Sequence, residues 1–475
     1  MSSFHQPRLR QLAEYLLRLG RLLLATAFLC VSAGCAALPD ADAVIDRHAG
    51  QAAKFENASG PVSKQKGKAI VADLKRKSGD IDILDKQIAL EQAIVGSPLV
   101  LGNKVILLQD GAATYGAMFA AIRGARDHIN LESYIIEDDE IGREFADLLL
   151  VQQQRGVQVN LIYDSFGSIN TPRAFFERLQ AGGVNILEFN PVNPMQARSP
   201  WLPNHRDHRK LLVVDGRIAF IGGINISSVY SSGSAARRRA KVPENSVKWR
   251  DTDLQIEGPV VAELQKLFME NWAKQRGKPL VKKDYFPGLT AAGKDIVRAI
   301  GSTPDDPHSL IYLTLISAIG NAERQVTLTN AYFVPDPQLL KALIDAAGRG
   351  VDVKLILPGH TDSKLVFHAG RSHYAALLKG GVKIFERRGA LLHSKTGLID
   401  GVWSCVGSTN LDWRSFVDND EVDAVILGRE FAQQMTAMIA RDLEASEAIS
   451  LEKWEERSLM LRLQEWGASL LQRLL

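Results

Sequence analysis

A histidine followed two positions later by lysine and seven positions later by aspartate occurs twice in this chain, as His208, Lys210 and Asp215 and again as His393, Lys395 and Asp400. An asparagine follows each histidine at the same distance, Asn225 (225 − 208 = 17) and Asn410 (410 − 393 = 17). Side chains alternate along a strand, so His208 and Lys210 face one way, as do His393 and Lys395, while Asp215 and Asp400 have the opposite parity and sit at turns. Two imidazoles and two ammonium groups around one pocket suit a phosphodiester. A neutral His attacks phosphorus, a protonated His gives its proton to the leaving alcohol, and the lysines and asparagines meet the charge on the non-bridging oxygens. Chemistry of this kind calls for no metal and no cofactor. Each Asp is expected to form the turn or hold structure together rather than react.

One copy of so short a pattern is a weak signal. A His on a strand is usually a satisfied surface or half-buried residue, and an Asp-Gly between apolar runs is usually only a hairpin. The matched second copy is what points to a bipartite site, with a duplicated but inactive scaffold as the bland alternative. In both copies an apolar run follows the Lys, an Asp-Gly turn comes next (Asp215-Gly216, Asp400-Gly401), and a returning apolar run ends in glycine, so two equivalent hairpins are expected.

The repeat extends upstream. Arg126 to Ile136 (RDHINLESYII) corresponds to Arg324 to Val334 (RQVTLTNAYFV), and Arg155-Gly-Val-Gln-Val to Arg349-Gly-Val-Asp-Val. Each half reads as strand, helix, strand, then motif hairpin. The expected class is therefore α/β, with a mixed sheet flanked by helices in each of two tandem units and one active site at their interface. A length of 475 residues suggests about three domains, but the repeat argues for two. At 46% apolar residues the chain can fill two cores, and a formal net charge of +3 does not demand nucleic acid. The expected layout is an N-terminal spacer over 36–95, a first half over 96–273, a connector over 274–309 with a helix near Ala291 to Ile300, a second half over 310–445 and a C-terminal amphipathic helix over 446–475.

The stretches HRDHRKLLVVDGRIAFIGGINIS and LLHSKTGLIDGVWSCVGSTNLDWRSF resemble the phospholipase D superfamily and, within it, the bacterial cardiolipin synthases. The resemblance covers roughly residues 100 to 475. It implies two tandem phospholipase D-like domains and a phosphatidyltransferase that forms cardiolipin from phosphatidylglycerol and a second phospholipid through a phosphohistidine. Phosphatidylethanolamine is a candidate second lipid. It also implies an acidic residue downstream of each motif that orients a His, at the matching positions Asp251 and Glu421. By the same analogy His208 is the nucleophile and His393 the general acid, then base. The alternatives are a phospholipase D-type phosphodiesterase that hydrolyses phospholipids or, less favoured, nucleic acid, and a non-catalytic lipid-binding envelope lipoprotein; a protein partner is not indicated either way.

The first 35 residues carry Arg8, Arg10, Arg18 and Arg21, an apolar run from Leu22 to Val31, and then Ser-Ala-Gly-Cys35. This describes an export signal whose apolar run is short for a membrane span. The small residues before Cys35 resemble a bacterial lipoprotein box, which places a lipidated Cys35 at the start of the mature chain and the protein on a membrane of the bacterial envelope, facing the periplasm; an uncleaved anchor helix is the alternative. With Cys30 removed and Cys35 acylated, only Cys405 remains, so no disulfide is expected. Cys405 itself reads as a small buried apolar group, and His205 as a loop residue.

The interval from Asn to acid is 26 residues in the first half (251 − 225) and 11 in the second (421 − 410). The longer one carries Arg237, Arg238, Arg239 and Lys241, expected as a solvated basic loop with contact to anionic head groups as the alternative. Near the end of the chain, Leu459, Leu463, Trp466, Leu470 and Leu474 form one apolar stripe. It is expected to pack on the protein's own core, with membrane contact as the alternative.

Overall fold

The structure, a computed structural model, describes residues 54–79, 95–197, 201–231 and 248–475, with scattered positions between 38 and 44 and between 83 and 91. The expected export signal with Cys35 and the basic cluster from Arg237 to Lys241 lie outside the described residues.

Strands run through the first half, edge to centre, in the order Asn185–Phe189, Gln158–Asp164, His128–Ser133, Lys210–Val214, Ile218–Gly222, Thr252–Glu257 and Leu99–Gln109. The second half repeats that order with Lys383–Arg387, Asp352–Pro358, Gln325–Asn330, Lys395–Ile399, Trp403–Gly407, Asn419–Leu427 and Asp295–Ser302. In each half the outer three strands are parallel and the others antiparallel. Parallel neighbours need crossover segments, supplied by helices such as Glu140–Gln154 and Pro337–Gly348. Asp139 and Asp336 start these two helices by accepting backbone N–H bonds from Gly142 and Gln338, caps worth about 1 kcal/mol each.

The innermost strands pair antiparallel, Asn103 opposite Asp295 and Val100 opposite Val297, and this join makes the two half-sheets continuous. The core runs across it. Leu254, Ile256, Leu264 and Phe268 pack in one cluster with Val297, Ala424, Ile426 and Phe431, all buried, and each such side chain contributes about 1.5–3 kcal/mol of burial.

Asp295–Ser302 corrects the helix expected near Ala291 to Ile300. Ile296, Val297 and Ile300 are β-branched and buried, and Arg298 and Ala299 between them are buried too. A strand covered on both faces shows no alternation, which hides it from periodicity. The segment upstream of residue 96, expected as a spacer, also enters the fold. Phe55–Asn57 pairs in parallel with Leu99–Val100, and buried Glu91 accepts from Trp403 Nε1 at 2.8 Å and faces Arg298 at 3.5 Å.

At the other end, Ser446–Ile449 pairs with Lys383–Arg387. The expected single helix is then broken into Leu451–Glu455 and Leu459–Ser469, the second capped by Ser458. Its apolar stripe does not pack on the core: Leu459, Leu463, Trp466, Leu470 and Leu474 are between 55% and 75% exposed. The buried side of this helix presents Glu465 and Ala468 instead. Glu465 is held by Arg457 at 2.8 Å and faces Arg371 at 3.8 Å. That ionic anchor fixes the rotation of the helix and turns the leucines outward. Among the described residues no helix is long and apolar enough to cross a membrane.

Candidate active site

Each motif His stands just before, not within, its strand, and its main chain is held by the opposite half. Arg206–Asp207 pairs in parallel with Asn419–Asp420, and the His208 N–H donates to the Asp420 carbonyl at 2.9 Å. Trp249–Arg250 pairs in parallel with Leu391–Leu392, and the His393 N–H donates to the Arg250 carbonyl at 2.8 Å. The side chains cross in the same way. His208 Nδ1 lies 2.9 and 3.0 Å from the carboxylate oxygens of Glu421, and His393 Nδ1 lies 2.7 Å from Asp251 Oδ2. An ionised carboxylate only accepts, so each Nδ1 carries the proton and each Nε2 keeps a lone pair.

The two acids differ in length, and their surroundings differ to match. Asp251 also accepts from the Thr252 N–H at 2.8 Å. A Cβ built on Gly223 would come 2.1 Å from Asp251 Oδ1, so only glycine fits beside it. At the matching position, Ser408 donates its hydroxyl to Glu421 Oε2.

Lys210 Nζ donates to the His208 carbonyl at 2.5 Å, with the ammonium 5.3 Å above the Tyr134 ring. Lys395 Nζ lies 3.0 Å from His393 Nδ1 and also donates to the His393 carbonyl. Each Lys is thus tied to its His through the His main chain, although the His stands outside the strand along which alternation was counted. Burial, then the Lys210 and Lys395 ammonium groups, hold the His208 imidazole well below its ordinary value, and burial with Lys395 pushes His393 the same way. Burial brings Lys210 down to about 7 and Lys395 to about 8, and lifts Glu421 to about 7. Downward shifts of this kind keep an imidazole neutral, the form that can attack. A bound phosphate monoanion favours protons on the remaining groups.

Asp215 and Asp400 do not approach the histidines. Each begins a turn in the left-handed region, with φ of 53° and 52°, followed by Gly216 and Gly401 at 61° and 66°. The Asp215 carboxylate accepts backbone N–H bonds from Arg126, Asp127 and His128 at 2.9, 2.8 and 3.0 Å. Asp400 does the same for Glu323, Arg324 and Gln325 at 2.9, 2.8 and 2.9 Å. They tie the hairpin to the start of the neighbouring strand.

His208, His393, Asn225 and Asn410 line one cleft of about 380 Å³. Aromatic walls close on the histidines: Tyr134 lies 5.1 Å from the His208 ring, and Trp249 and Tyr230 lie 5.2 and 5.6 Å from that of His393. The asparagines are not equivalent. Asn225 accepts from the Ile135 N–H at 3.1 Å and donates to Tyr230 at 2.7 Å, whereas Asn410 Oδ1 is buried with no hydrogen-bond partner among the described residues.

A family model described as "Cardiolipin synthase, PLD-like domain" matches residues 118–272 and 315–443. The chain belongs to the cardiolipin synthase family of phospholipase D-like proteins. It is 35% identical over 80% of its length to the cardiolipin synthase of Geobacillus kaustophilus, covering 74% of that protein. It is 37% identical over 78% of its length to cardiolipin synthase A of Pseudomonas putida, again covering 74% of the relative. Family membership makes it a phosphatidyltransferase of the phospholipase D superfamily, and two tandem phospholipase D-like units with the histidines meeting between them are its architecture. A phosphatidylserine synthase from Haemophilus influenzae shares the fold, with a TM-score of 0.59 and 13% identity over 81% of this chain and 99% of that one.

Two further residues lie outside the cleft lining. His205 sits in a loop, as expected, but is buried with Nε2 2.9 Å from Asp420 Oδ1, behind the carbonyl that holds the His208 main chain. Its proximity to the motif in HRDHRK was the only signal. Cys405 is half-buried; its thiol donates to Asp423 at 3.6 Å and burial pushes it well up, so it carries no thiolate. Among the described residues no group of three or more His, Cys, Asp or Glu is placed to hold a metal.

Proposed function

We propose that the protein forms cardiolipin from phosphatidylglycerol and a second phospholipid by double displacement. The observation that carries this reading is the pair of histidines, each backed by a carboxylate from the opposite half, on one cleft whose lining also includes Leu474 and Leu475 of the exposed apolar tail. His208 Nε2 attacks phosphorus while His393, protonated at Nε2, gives that proton to the departing head-group alcohol; the P–O bond breaks and an N–P bond forms. His393 then takes the proton of the free head-group hydroxyl of a phosphatidylglycerol acceptor, whose oxygen attacks phosphorus and releases His208; phosphatidylethanolamine, which has no hydroxyl, enters only as donor and then leaves ethanolamine. Lys210, Lys395 and Asn410 offset the charge on the non-bridging oxygens. Glycerol is the by-product when phosphatidylglycerol is the donor.

Whether a lipid hydroxyl or water resolves the intermediate depends on access. The exposed stripe from Leu459 to Leu474 supports docking on a bilayer, because it is amphipathic and runs directly into the cleft. A lipid held there presents its hydroxyl at high effective concentration. We further propose that lipidation of Cys35 anchors the protein to the bacterial envelope, which intact mass spectrometry of the membrane fraction tests.

The deciding assay is purified protein in phosphatidylglycerol vesicles, with and without phosphatidylethanolamine and with EDTA present, read by mass spectrometry. Cardiolipin is the expected product. Phosphatidic acid alone in both mixtures would replace the synthase reading with a hydrolase.

A further inference from the structure

The two halves of the cleft carry different charges at matching positions. Counting from the motif asparagines, Arg414 corresponds to Val229 (414 − 410 = 229 − 225 = 4). The first half therefore offers an apolar side chain where the second offers a guanidinium. Both Arg206 and Arg414 line the cleft, but only one is committed to the fold. Arg206 is buried and donates to Asn190 O at 3.0 Å and Pro203 O at 2.7 Å, with Asp164 at 3.8 Å. The Arg414 side chain is half-buried; it makes no side-chain hydrogen bond or close ion pair among the described residues, and its charge also acts on the carboxyls of Asp412 and Asp418.

The place of Arg414 in the fold is specific. It lies on the short helix Trp413–Val417, begun by Asp412, whose side chain accepts from the Ser415 N–H at 2.8 Å. Beside it, Arg473 of the chain end sits 5.6 Å above the Trp413 ring, and the next residues, Leu474 and Leu475, line the cleft. Arg414 therefore stands where the apolar tail meets the polar cleft. Its charge reaches across to the first half, where it is among the influences on His208 and Tyr134.

A transferase that joins two phospholipids handles two phosphodiesters: one reacts, and the other is carried by the acceptor a few bonds from its attacking hydroxyl. Lys210 and Lys395 sit beside the histidines and serve the first. We propose that Arg414 forms a subsite for the second phosphodiester, that of the acceptor lipid, and so selects a lipid alcohol over water or a simple alcohol. The planar guanidinium fork suits two oxygens of a phosphodiester, and its position lets the acceptor's acyl chains stay against Leu474 and Leu475. Val229, the matching position by sequence count, is apolar and does not line the cleft, so the cleft holds one acceptor in one orientation. This subsite rests on the transferase reading above.

The test compares two acceptors for the same phosphatidyl donor in full-length protein: phosphatidylglycerol, which carries a phosphodiester, and a neutral alcohol such as ethanol, which does not. The readout is the ratio of cardiolipin to phosphatidylethanol. In Arg414→Gln that ratio is expected to fall on the order of tenfold, the loss of one charge-assisted contact, with a rise in KM for the lipid acceptor. Arg414→Lys, which keeps the charge and loses the fork, is expected to fall between. If both products drop together in Arg414→Gln, or neither drops, the subsite is overturned. A wild-type protein that transfers to neither acceptor overturns the transferase reading itself, a separate outcome.

Discussion

His393 Nδ1 and Asp251 Oδ2 lie 2.7 Å apart although one belongs to the second half of the repeat and the other to the first. His208 and Glu421 make the reciprocal pair. Neither half holds a complete His–carboxylate unit of its own.

Removing either carboxylate is therefore expected to damage chemistry in the half that does not contain it. Asp251→Asn and Glu421→Gln keep the shape but lose the negative charge, and with an NH2 in place of one oxygen no longer fix the imidazole tautomer, so each should lower kcat by roughly a hundredfold or more. His208→Ala and His393→Ala should each abolish turnover. Steady-state kinetics beside melting curves checks this; a Glu421→Gln variant with near wild-type kcat would remove the orienting role.

The pH profile follows from burial. Glu421, lifted to about 7, becomes protonated as pH falls through that value and ceases to accept from His208, so activity is expected to fall on the acid side. Lys210, lowered to about 7, and Lys395, to about 8, lose their charge as pH rises through those values, so binding of the phosphodiester is expected to weaken on the alkaline side. The profile of kcat/KM should be a narrow bell at neutral pH. That of kcat should extend further into alkali, because bound phosphate favours charged lysines. In Glu421→Gln the residual activity should lose its acid limb; a wild-type profile flat through neutrality would remove the assignment.

Asp215→Ala and Asp400→Ala are stability variants. Each leaves three backbone N–H groups without their carboxylate and puts alanine, which tolerates the left-handed region less well than aspartate, at the turn, at an expected cost of about 2–4 kcal/mol. Thermal unfolding should move to lower temperature, while kcat per folded molecule changes by no more than a few-fold. A hundredfold loss of kcat at an unchanged melting temperature would place these residues in the chemistry.

Replacing Leu463, Trp466 and Leu470 together with Glu should weaken binding to phosphatidylglycerol vesicles by at least about tenfold, because each loses apolar contact with the bilayer and adds a repelled charge. The melting temperature should hold, since these side chains are exposed. Vesicle flotation measures the first quantity and scanning calorimetry the second.

Much of the site was legible because it is built on hairpins, where parity and an Asp-Gly turn fix which side chains share a face. The closeness of His208 to Lys210 and of His393 to Lys395 followed from two-residue spacing, although each His stands just outside the strand. The crossing of the carboxylates was not legible. It depends on two-residue pairings, Arg206–Asp207 with Asn419–Asp420 and Trp249–Arg250 with Leu391–Leu392, too short to leave a pattern. The joining strand Asp295–Ser302 was hidden by burial on both faces. The C-terminal stripe was visible as amphipathic, but its direction was set by Glu465 meeting Arg457 and Arg371, a long-range contact that helical periodicity does not encode.

The crossed pairs also order events in time. Their partners are separated by 213 and 142 positions along the chain, so the His393 pair cannot form before residue 393 is made, the His208 pair not before residue 421, and both need the halves to dock. Contacts at such separations form late in folding. A nascent or half-folded chain, already close to lipid, holds its histidines without the carboxylates that activate them. The exchange of acids between the halves thus acts as an assembly check, keeping phospholipids from being cut before the cleft that steers the cut product into a new lipid exists.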